Sequence, residues 1–210
     1  MGTTASMKRV LAALVILALL SWLVLPLVRA LILVSAYHSD PVAPADLVLE
    51  DLRFTVGPDV PPSAVRDVEL AAWTLHAVHG AAAVVLVHGF KTSREEMIPW
   101  ARFLHDAGYN VLLLDTRGAG KSGGSTVGLG ATEPHDISQA VTLARSQFGT
   151  GKVAVLGISL GAGAAILAAA DDPEISAVVA TARGPIRISS SRVSHLSRSA
   201  RFAYRSSRTA

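Results

Sequence analysis

No cysteine occurs among the 210 residues. That removes disulfides and thiolate metal ligands and leaves the redox compartment open. Charge is scarce as well. Asp, Glu, Lys and Arg make up 17% of the chain against 50% apolar residues, a balance that allows a buried core and excludes disorder throughout. Acids are missing altogether from residues 183–210, which carry seven arginines and eight serines. This stretch holds a net +7 and residues 1–182 a net −4, so the overall +3 and the pI near 9.6 come from its end. The body is mildly acidic, so no polyanion-binding surface is indicated there and nucleic acid is not an expected partner.

Polar residues are also lacking near the N-terminus. Val10 to Val28 is apolar except for Ser21 and Pro26. As a helix this run covers roughly 28 Å, close to the ~30 Å hydrocarbon thickness of a bilayer. Lys8 and Arg9 precede it, which predicts a cytoplasmic N-terminus with the rest of the chain outside. A cleavable signal peptide is the rival, with Val34-Ser35-Ala36 as the small-residue site. A buried core helix is excluded because no polar face exists. The expected organisation is an anchor or signal segment over 1–37, a Pro/Asp-rich linker over 38–48, a core over 49–182 and a Ser/Arg-rich tail over 183–210.

Within the core, "DLRFTV" (Asp51–Val56) and "VELAAWTLHA" (Val68–Ala77) alternate as an antiparallel hairpin. "AAAVVLVHGF" (Ala81–Phe90) is a continuous apolar run, the signature of a strand covered on both faces. A helix follows, with Ser93 and Glu96 spaced as a capping box and Gly108 at its end. "YNVLLLD" (Tyr109–Asp115) is a second buried strand. A helix from about Glu133 to Phe148 is expected between a Thr132 cap and Gly149. "KVAVLG" then gives a strand, Leu160–Ala170 a helix and Ile175–Ala182 another strand. Strand and helix alternate, so the fold is α/β, with a mostly parallel sheet and helices on both faces. One transmembrane helix precedes it.

The chemistry concentrates at "KVAVLGISLGAG". A buried strand enters Gly157-x-Ser159-x-Gly161 and leaves as an alanine-rich helix, the setting in which a nucleophilic serine is presented on a sharp turn. The alternative is a glycine-rich strand–helix turn with an idle serine. In such an architecture the oxyanion of acyl transfer is held by two backbone N–H groups, here those of Leu160 and Phe90. His88, ahead of Gly89-Phe90, is expected to pack at the strand end and not to act as a base. Two nucleotide signatures fail. Gly118-x-Gly120-x-x-Gly123 leads into more Gly, Ser and Thr where a helix should open. Gly120-Lys121-Ser122 has Asp115 where a phosphate loop needs glycine. No cofactor and no metal site is expected.

"VVLVHGF", "LLLDTRGAGKSGG" and "VAVLGISLGAG", in this order, make residues 46–181 resemble the α/β-hydrolase superfamily. Within it the chain is most similar to membrane-anchored bacterial serine hydrolases of the esterase and serine-aminopeptidase-like kind. The resemblance implies Ser159 as the nucleophile and Phe90 with Leu160 as oxyanion donors. It also implies a small-molecule acyl ester or peptide-like substrate, and a cell-membrane location with the soluble domain outside the cytoplasm. The Asp115–Ser122 stretch would shape the site without doing chemistry. The family places an acid after a later strand and a histidine after the last one. Here only Asp171, Asp172, Glu174 and His195 follow Ser159. The first three lie beyond a helix leading away from Ser159, and no strand precedes His195 to aim it. No triad acid or histidine is identified, and residues from about Arg183 on are expected to be a truncated or out-of-frame end. A catalytically silent, membrane-anchored binding module of the same fold is the alternative reading.

Overall fold

Local sequence decides the elements of the computed structural model, which describes residues 3–57 and 67–182. The apolar N-terminal run forms one helix, α1 (Thr3–Val34), with Pro26 inside it. Its Met7–Val34 portion is long and apolar enough to cross a membrane, and no part of it is buried against the rest of the chain. The helix extends past Val28 because Arg29 is followed by five more apolar residues before Ser35. A membrane span and a signal sequence both fit this segment.

The strands follow in chain order. β1 (Tyr37–His38) is short, β2 (Glu50–Val56) and β3 (Val68–Leu75) form the expected hairpin, and β4 (Ala83–Val87) comes next. A 3-10 turn, Arg94–Met97, runs into α2 (Ile98–Asp106), and β5 (Asn110–Leu114) and the short β6 (Ala119–Gly120) follow. The remaining elements are α3 (Glu133–Phe148), β7 (Val153–Ile158), α4 (Leu160–Asp171) and β8 (Ile175–Thr181). Six strands make one sheet in the order β2-β3-β5-β4-β7-β8. The β2/β3 and β3/β5 pairs are antiparallel, and β5, β4, β7 and β8 run parallel.

Successive residues of a strand point to opposite faces, and the central strands divide accordingly. Val85, Val87, Leu112, Leu114, Val153 and Val155 pack in the layer that holds residues of α3 and α4. Val84, Leu86, Val111, Leu113, Leu156 and Ile158 pack in the layer that holds Ala101 of α2. Both faces are covered, which explains why these strands read as unbroken apolar runs. β3 is also covered on both faces, and its alternation in sequence survives as Leu70 and Ala72 in one layer and Trp73 and Leu75 in the other.

This strand order places the site. From β4 the chain passes through α2 to β5 on one side, and from β7 through α4 to β8 on the other. β4 and β7 are adjacent, so a crevice opens outside their carboxyl ends, where ligands bind in open α/β sheets. β8 is the outer strand on that flank among the described residues, with Val179 47% exposed. The Ser/Arg-rich stretch, with the expected change of frame at Arg183 and with His195, lies outside the described residues.

Candidate active site

β7 passes into α4 through a single residue, Ser159, at φ 53 and ψ −110. A non-glycine residue at positive φ is uncommon and costs about 1–3 kcal/mol. The flanking glycines make the turn possible. A Cβ on Gly157 would collide with the carbonyl of Gly161, and one on Gly161 would lie 2.5 Å from the carbonyl oxygen of His88. Removing those methyl groups lets α4 start directly over β7 and against the end of β4. The Ser159 N–H donates to the Thr181 carbonyl at 2.8 Å, and its own carbonyl accepts from Ala162 and Gly163. Its side chain is exposed. It opens into a cleft of about 280 Å³ lined by Ala162, Ala180, Thr181 and Ala182. Larger cavities exist, one of about 540 Å³ near Asp46, His76 and Arg102, but that one lies at the amino end of β5, away from Ser159.

The turn after β4 meets Ser159. A Cβ on Gly89 would stand 3.6 Å from that of Ser159. Glu96 fixes this turn, accepting from the Gly89 N–H at 2.8 Å and from the Thr92 hydroxyl at 2.7 Å. The capping box expected between Ser93 and Glu96 does not form. The Ser93 side chain makes no capping bond, and the Glu96 carboxylate, which would complete the box, is engaged with the preceding turn. The sequence signal for Glu96 was therefore real, and its destination was different. His88 is buried, with Nδ1 2.8 Å from the Gly89 carbonyl and Nε2 3.3 Å from the Thr116 N–H. A backbone N–H can only donate, so Nε2 accepts and Nδ1 carries the proton. Burial holds this imidazole below the usual histidine range, so it is neutral and structural. Among the described residues neither the Phe90 nor the Leu160 N–H has a hydrogen-bond partner; Phe90 lies in the turn beside Ser159 and Leu160 at the first position of α4.

Buried polar pairs brace the loop after β5. Asp115 accepts from the backbone N–H of Arg94 at 2.6 Å and of Lys121 at 3.0 Å. The Arg94 guanidinium lies 4.3 Å from the Trp73 ring and reaches Asp51 at 3.1 Å. Arg117 clamps Asp136 through Nε and Nη2 at 3.0 and 2.7 Å. Burial pushes the Asp136 carboxyl up from its ordinary value, against the pull of that guanidinium. Ser122 Oγ donates to the Asp115 carbonyl and accepts from the Ala71 N–H, at 2.6 and 2.9 Å. Gly118 and Gly120 both sit at positive φ. No helix opens here before α3 at Glu133, so the dinucleotide fingerprint has no helix N-terminus to serve it. The Thr132 hydroxyl makes no capping bond; Glu133 turns back instead and accepts from the Gly128 and Gly130 N–H groups at 2.7 and 2.8 Å.

Ser159, Leu160 and Phe90 are thus brought together. The carboxylates after Ser159 are not brought to them. Asp171 ends α4, Asp172 accepts from the Glu174 N–H, and Glu174 pairs with Arg145. A helix of 12 residues carries them roughly 18 Å from the serine. His38, His76, His88 and His105 are engaged elsewhere, with Gly124, Glu50, Gly89 and the His76 carbonyl respectively. Among the described residues no cluster of three His, Asp or Glu is placed to hold a metal ion.

Comparison with known proteins places this geometry in a family. Residues 79–201, more than half of the chain, match the family "Serine aminopeptidase, S33". An esterase of Pyrococcus furiosus superposes with a TM-score of 0.59 at 28% identity, over 70% of this chain and 55% of its own. The α/β hydrolase GrgF of Penicillium sp. sh18 gives 0.56 at 24% identity, over 64% and 45%, which speaks for the fold alone. YqkD of Bacillus subtilis, an uncharacterized protein, is 31% identical over 85 residues, 40% of this chain and 28% of its own length. The chain therefore spans about half, or less, of the relatives it resembles.

Proposed function

The chain belongs to the serine aminopeptidase S33 family of α/β hydrolases, and from that premise we propose that it is a serine hydrolase whose Ser159 takes an acyl group from an ester or peptide-like bond. The observation that carries the reading is the strained Ser159 itself, φ 53 between two glycines that tolerate no Cβ. Strain of this kind persists where the surrounding structure imposes it, and it aims the hydroxyl out of the elbow into the crevice.

In the first step Ser159 Oγ forms a bond to the carbonyl carbon and loses its proton to solvent or a base. The carbonyl π pair moves onto oxygen, where the Phe90 and Leu160 N–H groups stabilise it. Collapse expels the alcohol or amine, which takes up a proton, and leaves an acyl-serine. Water then attacks the same carbonyl, returning the serine and releasing the acid. The small side chains along the cleft (Ala162, Ala180 and Ala182) suit an apolar acyl group. In this reading Ser159 is the nucleophile and the Phe90 and Leu160 N–H groups are the oxyanion donors. None of the carboxylates that follow Ser159 is placed to act with them. An activated leaving group such as nitrophenolate departs without a proton donor, so acylation by such an ester is less impaired than attack of water on the acyl-serine, which has no placed base. Such a partial site still retains about 10³-fold or more over water. In this reading α1 anchors the chain in a membrane, with the domain outside the cytoplasm.

A silent binding module of the same fold is the second reading, favoured by those misplaced carboxylates. The two separate in a burst experiment with a p-nitrophenyl ester. Release of one equivalent of nitrophenol per chain followed by slow turnover supports the acyl-enzyme, and no burst supports the binding module.

A further inference from the structure

The end of α1 is bonded to the loops that build the site. Lys91, next to Phe90, donates through Nζ to the carbonyl of Ile32 at 2.9 Å. The Val127 N–H donates to the carbonyl of Val34 at 2.8 Å, so two of the carbonyls left open at this helix end are capped by the domain. The next residues continue the contact. Ala36 and Tyr37 donate to Ser125 and Gly118 at 3.0 and 2.6 Å, Ser39 donates to Gly120 at 3.1 Å, and β1 pairs in parallel with β6. All these partners follow the carboxyl ends of β4 and β5, the end of the sheet at which Ser159 follows β7. α1 is therefore fixed to the catalytic end.

Length turns that attachment into a position. The 28 residues Met7–Val34 span about 42 Å as a helix, and a bilayer with both headgroup regions is about 40–45 Å thick. The helix runs out where the headgroups do, and Lys91, Gly118 and Val127 begin there. The amino ends of the strands, five or six residues away, lie roughly 17–20 Å from that end of the sheet. Exposed apolar side chains lie beside this attachment among polar ones such as Lys121, Ser125 and Thr126. Leu129, two residues past Val127, is 44% exposed, and on α4 Leu167, near Gly130, and its neighbour Ile166 are about half exposed.

We propose that α1 holds the Ser159 cleft against the bilayer surface, and that the acyl donor is an ester dissolved in the adjoining leaflet. The donor assignment rests on the reading of Ser159 as nucleophile; the orientation does not. A chain without cysteine gives a clean test of orientation. Leu129→Cys, Ile166→Cys and, at the far end before β7, Gly151→Cys are each labelled with a fluorophore in the full chain. Gly151 has open space around a Cβ. The proteins are reconstituted in phosphatidylcholine vesicles containing a minority of phosphatidylglycerol and doxyl-labelled lipid. Quenching at residues 129 and 166 that clearly exceeds quenching at 151 is expected. Equal quenching, or the reverse order, overturns the orientation. The donor is tested by placing a flexible Gly/Ser insertion between Val34 and Ser35. Loss of fixed geometry should slow acylation of Ser159 by a vesicle-borne long-chain nitrophenyl ester about tenfold, with water-soluble nitrophenyl acetate unaffected. Unchanged rates with the vesicle-borne ester overturn the lipid donor. Failure of nitrophenyl acetate to acylate Ser159 in the native sequence instead defeats the nucleophile reading, and the quenching contrast still decides the orientation.

Discussion

Replacing Ser159 by glycine should make the protein more stable while removing its reactive group. Ser159 sits at φ 53, ψ −110, a region that a residue with a Cβ enters at about 1–3 kcal/mol. Glycine reaches it freely, at the expense of about 0.5–1 kcal/mol of extra chain entropy in the unfolded state. The net gain is roughly 0.5–2 kcal/mol. The comparison that isolates it is Ser159→Gly against Ser159→Ala, because alanine keeps the Cβ and the strain. The hydroxyl faces solvent, so its removal in either variant leaves no buried partner behind. For a chain of this size each kcal/mol moves the midpoint by about 2–4 °C. Thermal unfolding in detergent, followed by circular dichroism, should place the glycine variant a few degrees above the alanine variant. A glycine variant equal to or less stable than the alanine one would refute the argument that the elbow stores strain.

Other substitutions test the surrounding framework. Gly161→Ala puts a Cβ 2.5 Å from the His88 carbonyl, a backbone clash that should destabilise by about 3 kcal/mol or more, read as loss of folded yield and of the unfolding transition. Arg117→Ala leaves the buried Asp136 carboxylate without its clamp and should cost about 3–5 kcal/mol in denaturant unfolding, well beyond an exposed-arginine control. Glu96→Ala frees the Gly89 turn and should slow nitrophenol burst formation about tenfold or more, as loss of oxyanion alignment does, with a smaller change in stability. His88 is held neutral by burial, so the unfolded chain binds a proton more readily than the folded one. Its contribution is fully present above about pH 6.5 and is lost as pH falls below that, at up to about 1.4 kcal/mol per pH unit. His88→Gln should flatten that part of the stability profile.

The sheet was legible because its strands are continuous apolar runs covered on both faces, and the elbow because Gly157 and Gly161 have no substitute beneath the start of α4. Helix ends were read less well. Ser93, Glu96 and Thr132 carry capping signals, yet Glu96 and Glu133 bond loops that precede their helices, a choice made by tertiary contacts that spacing cannot show. The Arg117–Asp136 clamp joins residues from separate elements and left no local pattern. The docking of α1 was also invisible. It rests on backbone groups of Ser35–Ser39 and of the glycine-rich loop, and the sequence there reads as the end of an anchor or signal segment and the start of a linker.

The central claim is that Ser159 is the acyl acceptor. The most direct measurement is intact mass, with peptide mapping, after exposure of the full chain in detergent to a fluorophosphonate. A single adduct on the peptide containing Ser159, absent from Ser159→Ala, is the predicted result. An adduct that persists in Ser159→Ala, or that maps to Ser122 or Ser125, would contradict it.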